Sequence, residues 1–460
     1  MKNKMKVMLS LVLTVALVFA FVAVPVMADN DGANTASNGS ALSASTYQYS
    51  IVHVDAGRKY FSPDNIKKII DNAASAGFNQ VELYLSDNQG FRFALDDMNI
   101  TTSTGNTYDL TPALGDGYSD GSKYPDGSGK YLTQSEMDDI IQYAAEKNIE
   151  IVPCVNTPGH MGAILEEFPQ FCYSDNKGTS KSSIDLENKE AVAFALAITE
   201  KYAAYFESKG VKYYSLGADE YANDLYLNYS KGGRGFGMLY DNDKYQEFVD
   251  YLNNAADIVI EKGMTPRAFN DAIYFNNDTS YNINKNIQVY YWENLNNDEL
   301  VGPSATTIAN QGHEMINANA EYYWALGSSY FHCTAEKAAG FDYTNFHGDY
   351  TLDHPVGAMF CIWCDNGAAN GQDNGTAVVN ATADVIAAFG KTLPTAPGND
   401  SILPLPNFKA SMKVGESQDL SLGESATWAS SDEKVVTLAS KTRAAGVTGT
   451  DVTATAVGEG

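Results

Sequence analysis

The chain is short of cations. Against 57 Asp and Glu it carries 30 Lys and Arg, a formal net charge of -27 at pH 7 over 460 residues. Such a surplus repels polyanions, so no nucleic-acid partner is expected, whereas a neutral or cationic substrate is accepted more easily. Cysteine is also scarce: Cys154, Cys172, Cys333, Cys361 and Cys364 make an odd set of five, too few for a disulfide framework. Cys361 and Cys364 have CxxC spacing, but there is no second such pair and no ligand-spaced pair among the 6 His. They are read as packing thiols beside Trp363, and neither a metal nor another cofactor is expected.

Membrane-grade apolar runs are limited to one. Lys2, Lys4 and Lys6 precede the run from Val7 to Val24, and Val26-Met27-Ala28 suits signal-peptidase cleavage. Residues 1–28 are therefore read as a removed secretion signal, which leaves no integral membrane segment, with a retained anchoring helix as the alternative. The expected location is secreted or at the cell surface, in a bacterium. Residues 29–47 hold too little apolar area to fold and read as a linker.

From residue 50 onward two periodicities alternate. Strand-like stretches at 50–58, 79–87, 149–156, 211–219, 265–271, 287–292, 313–320 and 356–363 are separated by helical patterns at 63–77, 133–148, within 187–209, 243–262, near 297–311 and 376–390. Thr133 with Glu136 three residues on forms a capping-box pattern. Apolar, β-branched strands separated by helical crossovers make a parallel sheet covered by helices, and a count of eight favours a closed α/β barrel, the (β/α)8 TIM barrel, over residues 48–392. After a Pro/Gly/Asp linker at 393–402, residues 403–460 turn to Ser, Thr, Val and Gly with short strands. That composition suits an all-β sandwich. This part resembles a group 2 bacterial immunoglobulin-like domain, incomplete at Gly460.

In such a barrel the chemistry sits at the C-terminal ends of the strands. Reading off those ends gives Asp55 and Arg58, Asp87, Asn156 with His160, Asp219-Glu220, Asn270-Asp271, Trp292, Tyr323, and Trp363 with Asp365. Aromatic faces stack on the C–H faces of a pyranose, while carboxylates and Arg hydrogen-bond vicinal hydroxyls, so this rim suits sugar recognition.

The segments DAGRKYFSPDNIKKIID (55–71), LYLSDNQGFRF (83–93), IVPCVNTPGHMGAIL (151–165), SLGADEYAND (215–224), PRAFNDAI (266–273), VYYW (289–292), INANAEYYWALG (316–327) and GAMFCIWCDN (357–366) resemble, in order, glycoside hydrolase family 20, the β-N-acetylhexosaminidases. The resemblance is strongest to bacterial exo-hexosaminidases and lacto-N-biosidases. It implies substrate-assisted retaining hydrolysis of terminal β-linked N-acetylhexosamine, an exception to the two-carboxylate scheme. Glu220 would be the general acid and Asp219 would hold the substrate's acetamido N–H. Tyr323 would bond the acetamido carbonyl, and His160 would support the acid. Arg58, Asp87, Asn270, Asp271, Trp292, Trp363 and Asp365 would bind substrate, an oligosaccharide or glycan.

The chain departs from the family pattern at Tyr84, Asn88, Cys154, Asn156 and Ala325. Asn156 stands where an Asp is usual, which leaves His160 without its expected carboxylate. Two other readings stay open: a lacto-N-biosidase releasing a disaccharide, and a non-catalytic carbohydrate-binding barrel.

Overall fold

The structure is a computed structural model that describes residues 47–119, 124–225, 234–271, 273–294 and 302–394, together with three strands near the C-terminus. The chain divides into two compact units, Ala41–Pro397 on one hand and Met1–Ser40 with Gly398–Gly460 on the other. The signal reading of 1–28 and most of the two linkers lie outside the described residues.

The larger unit is built on eight parallel strands: β1 (Tyr49–Asp55), β2 (Gln80–Asp87), β3 (Glu150–Thr157), β4 (Tyr213–Gly217), β5 (Thr265–Phe269), β6 (Gln288–Tyr291), β7 (Met315–Asn317) and β8 (Gly357–Trp363). Each pairs with its neighbour in sequence, and β1 pairs with both β2 and β8, so the sheet closes on itself. This is the expected (β/α)8 barrel. All eight strands overlap the stretches read from the sequence; β1 starts one residue earlier, β3 ends one residue later, and β7 is shorter than the 313–320 expected for it.

Period-two alternation sorts the side chains into two cores. On β8, Met359, Cys361 and Trp363 point into the barrel with Ile51, Tyr84 and Phe269, whereas Phe360, Ile362 and Cys364 pack outward against the helices. Cys361 and Cys364 thus belong to different cores, and all five cysteines are free thiols.

The helices form where the sequence supplies starts and an apolar stripe. Helix α1 (Pro63–Ser75) opens on a proline and buries Ile66, Ile69, Ile70 and Ala73; each fully buried aliphatic side chain contributes about 1.5–3 kcal/mol. Helix α2 (Gln134–Glu146) carries the expected capping box between Thr133 and Glu136. Helices α3 (Lys189–Ser208), α4 (Tyr245–Glu261), α5 (Ala305–Asn310) and α6 (Thr376–Gly390) complete the layer. Helix α5 is the later half of the helix expected near 297–311; residues 295–301 lie outside the described residues. No described helix is long and apolar enough to cross a membrane.

The loop at 88–132 contains pairings that periodicity does not reveal. Gly90–Phe91 pairs with both β2 and Gly115–Asp116, and Asn99–Thr101 pairs with Thr107–Asp109. In the smaller unit, Ser417–Ser421 and Val436–Ser440 each pair antiparallel with Asp451–Ala456. These three strands are what is described of the expected immunoglobulin-like part; the rest of 403–460 lies outside the described residues.

Candidate active site

The C-terminal ends of β1 to β4 bring charged side chains together through short, strained turns. Gly217, the last residue of β4, has φ 69°, and a Cβ there would lie 2.2 Å from the Asn156 side chain, so the position admits only glycine. Beyond it Ala218, Glu220 and Ala222 take φ of 62°, 47° and 50°, and His160 after β3 takes φ 52°. Non-glycine residues in this region cost about 1–3 kcal/mol each and persist only where surroundings over-determine them. The surroundings do so here: Asn156 Oδ1 accepts from the Ala218 N–H at 2.9 Å, Asp271 Oδ2 from the Glu220 N–H at 3.0 Å, and Ser183 Oγ from the Ala222 N–H at 2.7 Å.

Asp219 and Glu220 consequently point differently. The Asp219 side chain is 10% exposed and Glu220 29%, so Asp219 forms the wall and Glu220 reaches into the opening. Asn156 donates from Nδ2 to Asp219 Oδ1 at 2.6 Å and to the Tyr84 hydroxyl at 2.9 Å. Tyr84 in turn donates to Asp87 Oδ2 at 3.1 Å.

His160 lies at the centre of the acids. Its Nδ1 is 3.0 Å from Asp87 Oδ2, and its Nε2 is 3.5 Å from Asp219 Oδ2 and 3.3 Å from Glu220 Oε2. The sequence expectation that His160 loses its carboxylate because Asn156 replaces an Asp is corrected: Asp87, from β2, supplies the charge. Burial disfavours the imidazolium, but the Asp219 and Asp87 carboxylates outweigh it and raise the His160 pKa well above its ordinary value. Burial also works against the Asp87 anion, yet Arg58 and His160 hold its carboxyl well below the usual range.

Asp219 and Asp271 shift the other way. Burial raises the Asp219 carboxyl, with His160 lowering it and Glu220 raising it, for a net rise. Burial and then the Asp219 and Glu220 charges push Asp271 well above the carboxylate range. Asp271 also accepts from the Trp292 indole N–H. It fixes the Glu220 backbone and the Trp292 ring rather than standing open as a nucleophile.

On the opposite side, Arg58 is gripped by Asp55 at 2.9 Å and Asp87 at 3.0 Å, with Asp365 at 3.9 Å. The Asp365 side chain is 31% exposed, whereas Asp87 is buried behind Arg58. Trp363 closes the floor: its ring lies 5.3 Å from the Arg58 guanidinium carbon and 5.9 Å from the Tyr323 ring. Trp292 stacks nearly parallel to Tyr323, 6.2 Å between centroids. The Tyr323 hydroxyl and the Trp363 indole N–H are buried and meet no partner of hydrogen-bond geometry within the protein. Two unsatisfied donors beside a charged pocket are what a polar ligand would complete. Burial pushes the Tyr323 phenol well above its ordinary pKa, so it stays a neutral donor.

Asn270 accepts from the Trp292 N–H at 2.8 Å and donates to the Glu293 carbonyl at 2.8 Å, bracing the turn that carries Trp292. Asp55 and Asn156, read at strand ends but given no role there, and Tyr84, noted only as a departure, join the hydrogen-bond network of the site. Asn156 was visible as a departure in the block at 151–165, but its new partner was not. Among the described residues no group of His, Cys, Asp and Glu could hold a metal ion.

The description "Glycosyl hydrolase family 20, catalytic domain" matches residues 47–370. The chain belongs to glycosyl hydrolase family 20. The family 20 domain is 30% identical to a structure of the pneumococcal virulence factor StrH concerned with N-glycan recognition and hydrolysis, covering 75% of this chain and 83% of that one with a TM-score of 0.66. It is 28% identical over 249 residues to a lacto-N-biosidase of Bifidobacterium bifidum, covering 51% of this chain and 21% of that protein. A β-hexosaminidase of Vibrio furnissii is 26% identical over 196 residues, covering 41% of this chain and 31% of that protein. The chain thus spans less than a third of the length of these two curated relatives. The side chains described above lie at the C-terminal ends of the barrel strands, where (β/α)8 folds place their chemistry.

Proposed function

We propose that the chain is an exo-acting β-N-acetylhexosaminidase that releases a terminal β-linked N-acetylhexosamine from glycans with retention, using the substrate's acetamide as the nucleophile. The observation that carries this reading is the pairing of a walled Asp219 with an open Glu220 on one strand tip, while the third acid, Asp271, is raised and bound to the Glu220 backbone and the Trp292 indole. Two adjacent carboxylates on one side of a pocket do not flank both faces of an anomeric carbon, so the ordinary nucleophile is lacking.

In the proposed reaction Glu220 gives its proton to the glycosidic oxygen as the bond from C1 breaks, and the acetamide carbonyl oxygen bonds to C1. Asp219 accepts the acetamide N–H and offsets the positive charge of the oxazolinium ring. Glu220, now anionic, takes a proton from water as the water oxygen attacks C1 and the ring reopens. An internal nucleophile gains effective molarity, and a fixed carboxylate acts where charge develops. Tyr323 donates to the acetamide oxygen, Trp292 and Trp363 wall the sugar, and Arg58 with Asp365 takes its hydroxyls.

Beyond Arg58 the loop that carries Asp365 is braced from behind. Lys59, wholly buried, donates to the carbonyls of Gly367, Ala369 and Gly371 and pairs with Asp373 at 3.0 Å. Gln89 donates to the Asp365 carbonyl at 2.9 Å. Secretion, by a signal within 1–28, and cell-surface attachment are further parts of the proposal and rest on the sequence alone. The test is hydrolysis of an aryl β-N-acetylglucosaminide set beside an aryl lacto-N-bioside. Cleavage of the first supports this account, cleavage of the second alone makes the enzyme a biosidase, and cleavage of neither ends the reading.

A further inference from the structure

The segment SLGADEYAND ends on Asp224, a residue to which the proposed reaction gives no task. Its side chain stands at the surface, yet it draws donors from three successive residues of one strand, Gly178–Ile184. The Ser180 and Ser182 hydroxyls donate to Asp224 Oδ1 at 2.7 and 2.8 Å, and the Lys181 N–H donates to Oδ2 at 2.6 Å. Ser180 and Ser182 are themselves buried, so two hydroxyls hidden from water are turned on one exposed acid. Hydrogen bonds to an ionised carboxylate are the stronger kind, and an acid placed only for solubility would not collect them.

The same strand holds the turn of His160. The Ile184 N–H donates to the Pro158 carbonyl at 3.2 Å and the Met161 N–H donates to the Ser182 carbonyl at 2.8 Å, one bond on either side of the histidine. Toward the acids, Ser183 Oγ accepts the Ala222 N–H at 2.7 Å and the Ile184 carbonyl accepts the Tyr221 hydroxyl at 2.8 Å. The two turns are in backbone contact, since a Cβ on Gly159 would lie 2.8 Å from the Asp219 carbonyl oxygen and 3.3 Å from the Tyr221 Cα. One strand therefore fastens two turns side by side, and their side chains, His160 Nε2 and Glu220 Oε2, meet at 3.3 Å. Glu220 and Ala222 sit at φ 47° and 50°, a conformation that persists only when it is anchored. Asp224 is the anchor beyond them.

We infer that Asp224 is a positioning residue for the general acid: clasped by Ser180, Lys181 and Ser182, it holds the turn of Glu220 against the strand that also holds His160, and so sets where the Glu220 carboxyl meets the leaving oxygen. This inference rests on the hexosaminidase reading and adds to it the device that aims the acid. The effect is confined to proton transfer by Glu220. Asp219 is held separately by Asn156 Nδ2 at 2.6 Å, and Arg58 by Asp55 and Asp87, so the grip on the sugar does not pass through Asp224.

The experiment measures kcat/KM of the full chain, of Asp224→Ala and of Asp224→Asn on two β-N-acetylglucosaminides, methyl and 2,4-dinitrophenyl. This parameter reports the steps up to departure of the leaving group; a methoxide needs a proton in order to leave, and a dinitrophenolate does not. Asp224→Ala is expected to lose about tenfold to a hundredfold on the methyl glycoside, the cost of a misplaced acid, and to keep the dinitrophenyl rate within about twofold. Asp224→Asn keeps an oxygen for the Ser180 and Ser182 hydroxyls, so it is expected to show the same selective loss at smaller size, and it decides the matter if Asp224→Ala does not fold. An equal loss on both glycosides overturns the inference, because it marks a general disturbance of the site, and so does an undiminished methyl glycoside rate. If the wild-type chain hydrolyses neither glycoside, the hexosaminidase reading fails and this inference falls with it; an active wild type with no selective loss in the variants removes the inference alone.

Discussion

The His160 imidazole and the Asp87 carboxylate lie 3.0 Å apart, Nδ1 to Oδ2, although they come from different strand ends and neither stands next to Asp219 or Glu220 in the sequence. The contact turns Nδ1 to Asp87 and Nε2 toward Asp219 and Glu220, and the Asp219 and Asp87 carboxylates favour the charged imidazole. Replacing His160 by Gln removes the group that lowers the Asp219 carboxyl, so that carboxyl, already raised by burial, rises further. The acid limb of the kcat/KM profile of His160→Gln is expected to move to higher pH, with the larger loss of rate on the acid side. A loss equal at every pH would show a structural role only.

The same contact ties stability to pH. A His with a raised folded pKa stabilises fully below its unfolded value of about 6.5, and that contribution is lost as pH rises through the folded value. In denaturant titrations the gap between wild type and His160→Gln is therefore expected to be widest below about pH 6.5 and to narrow in alkali. A gap that widens with rising pH would contradict a charged His160.

Asn156 holds Asp219, Tyr84 and the Ala218 backbone with one amide. Asn156→Ala leaves a buried carboxylate oxygen and a backbone N–H unsatisfied, at a cost of about 1–3 kcal/mol each. Loss of both stability and kcat/KM is expected, read by unfolding and steady-state kinetics on one preparation. A stable variant with the wild-type rate would show that Asp219 is placed by other means.

Lys59 and Arg58 are neighbours with opposite tasks: Arg58 faces the pocket, and Lys59 staples the loop that carries Asp365. Removing one partner of a buried charge pair costs about 3–5 kcal/mol. Lys59→Met is expected to lower the melting temperature and to raise KM more than it lowers kcat. An unchanged melting temperature would contradict the staple.

Much of the scaffold was legible because it follows from periodicity. The Val52, Val54 and Val81, Leu83, Leu85 alternations mark barrel strands, and Thr133 with Glu136 marks a helix start. The candidate acids were legible from strand ends together with a family resemblance. The cross-strand partners were not, since period and spacing do not say which side chains meet at a barrel rim. Asn156 looked like a lost partner of His160, whereas its amide turns toward Asp219 and Ala218 and Asp87 takes the histidine. That Asn270 would brace the Trp292 turn through both ends of its amide was likewise not legible. The Gly90–Phe91 pairing and the Asn99–Thr101 hairpin were hidden because they are too short to carry a pattern.

The central claim is that the substrate, not the protein, provides the nucleophile. Successive fluorination of the acetamido methyl group weakens the carbonyl oxygen as a nucleophile while barely changing the size of the sugar. The direct measurement is kcat/KM for one aryl glycoside bearing acetamido, fluoroacetamido, difluoroacetamido and trifluoroacetamido groups. A steep, progressive fall is the predicted result, and a rate indifferent to fluorination would contradict the account.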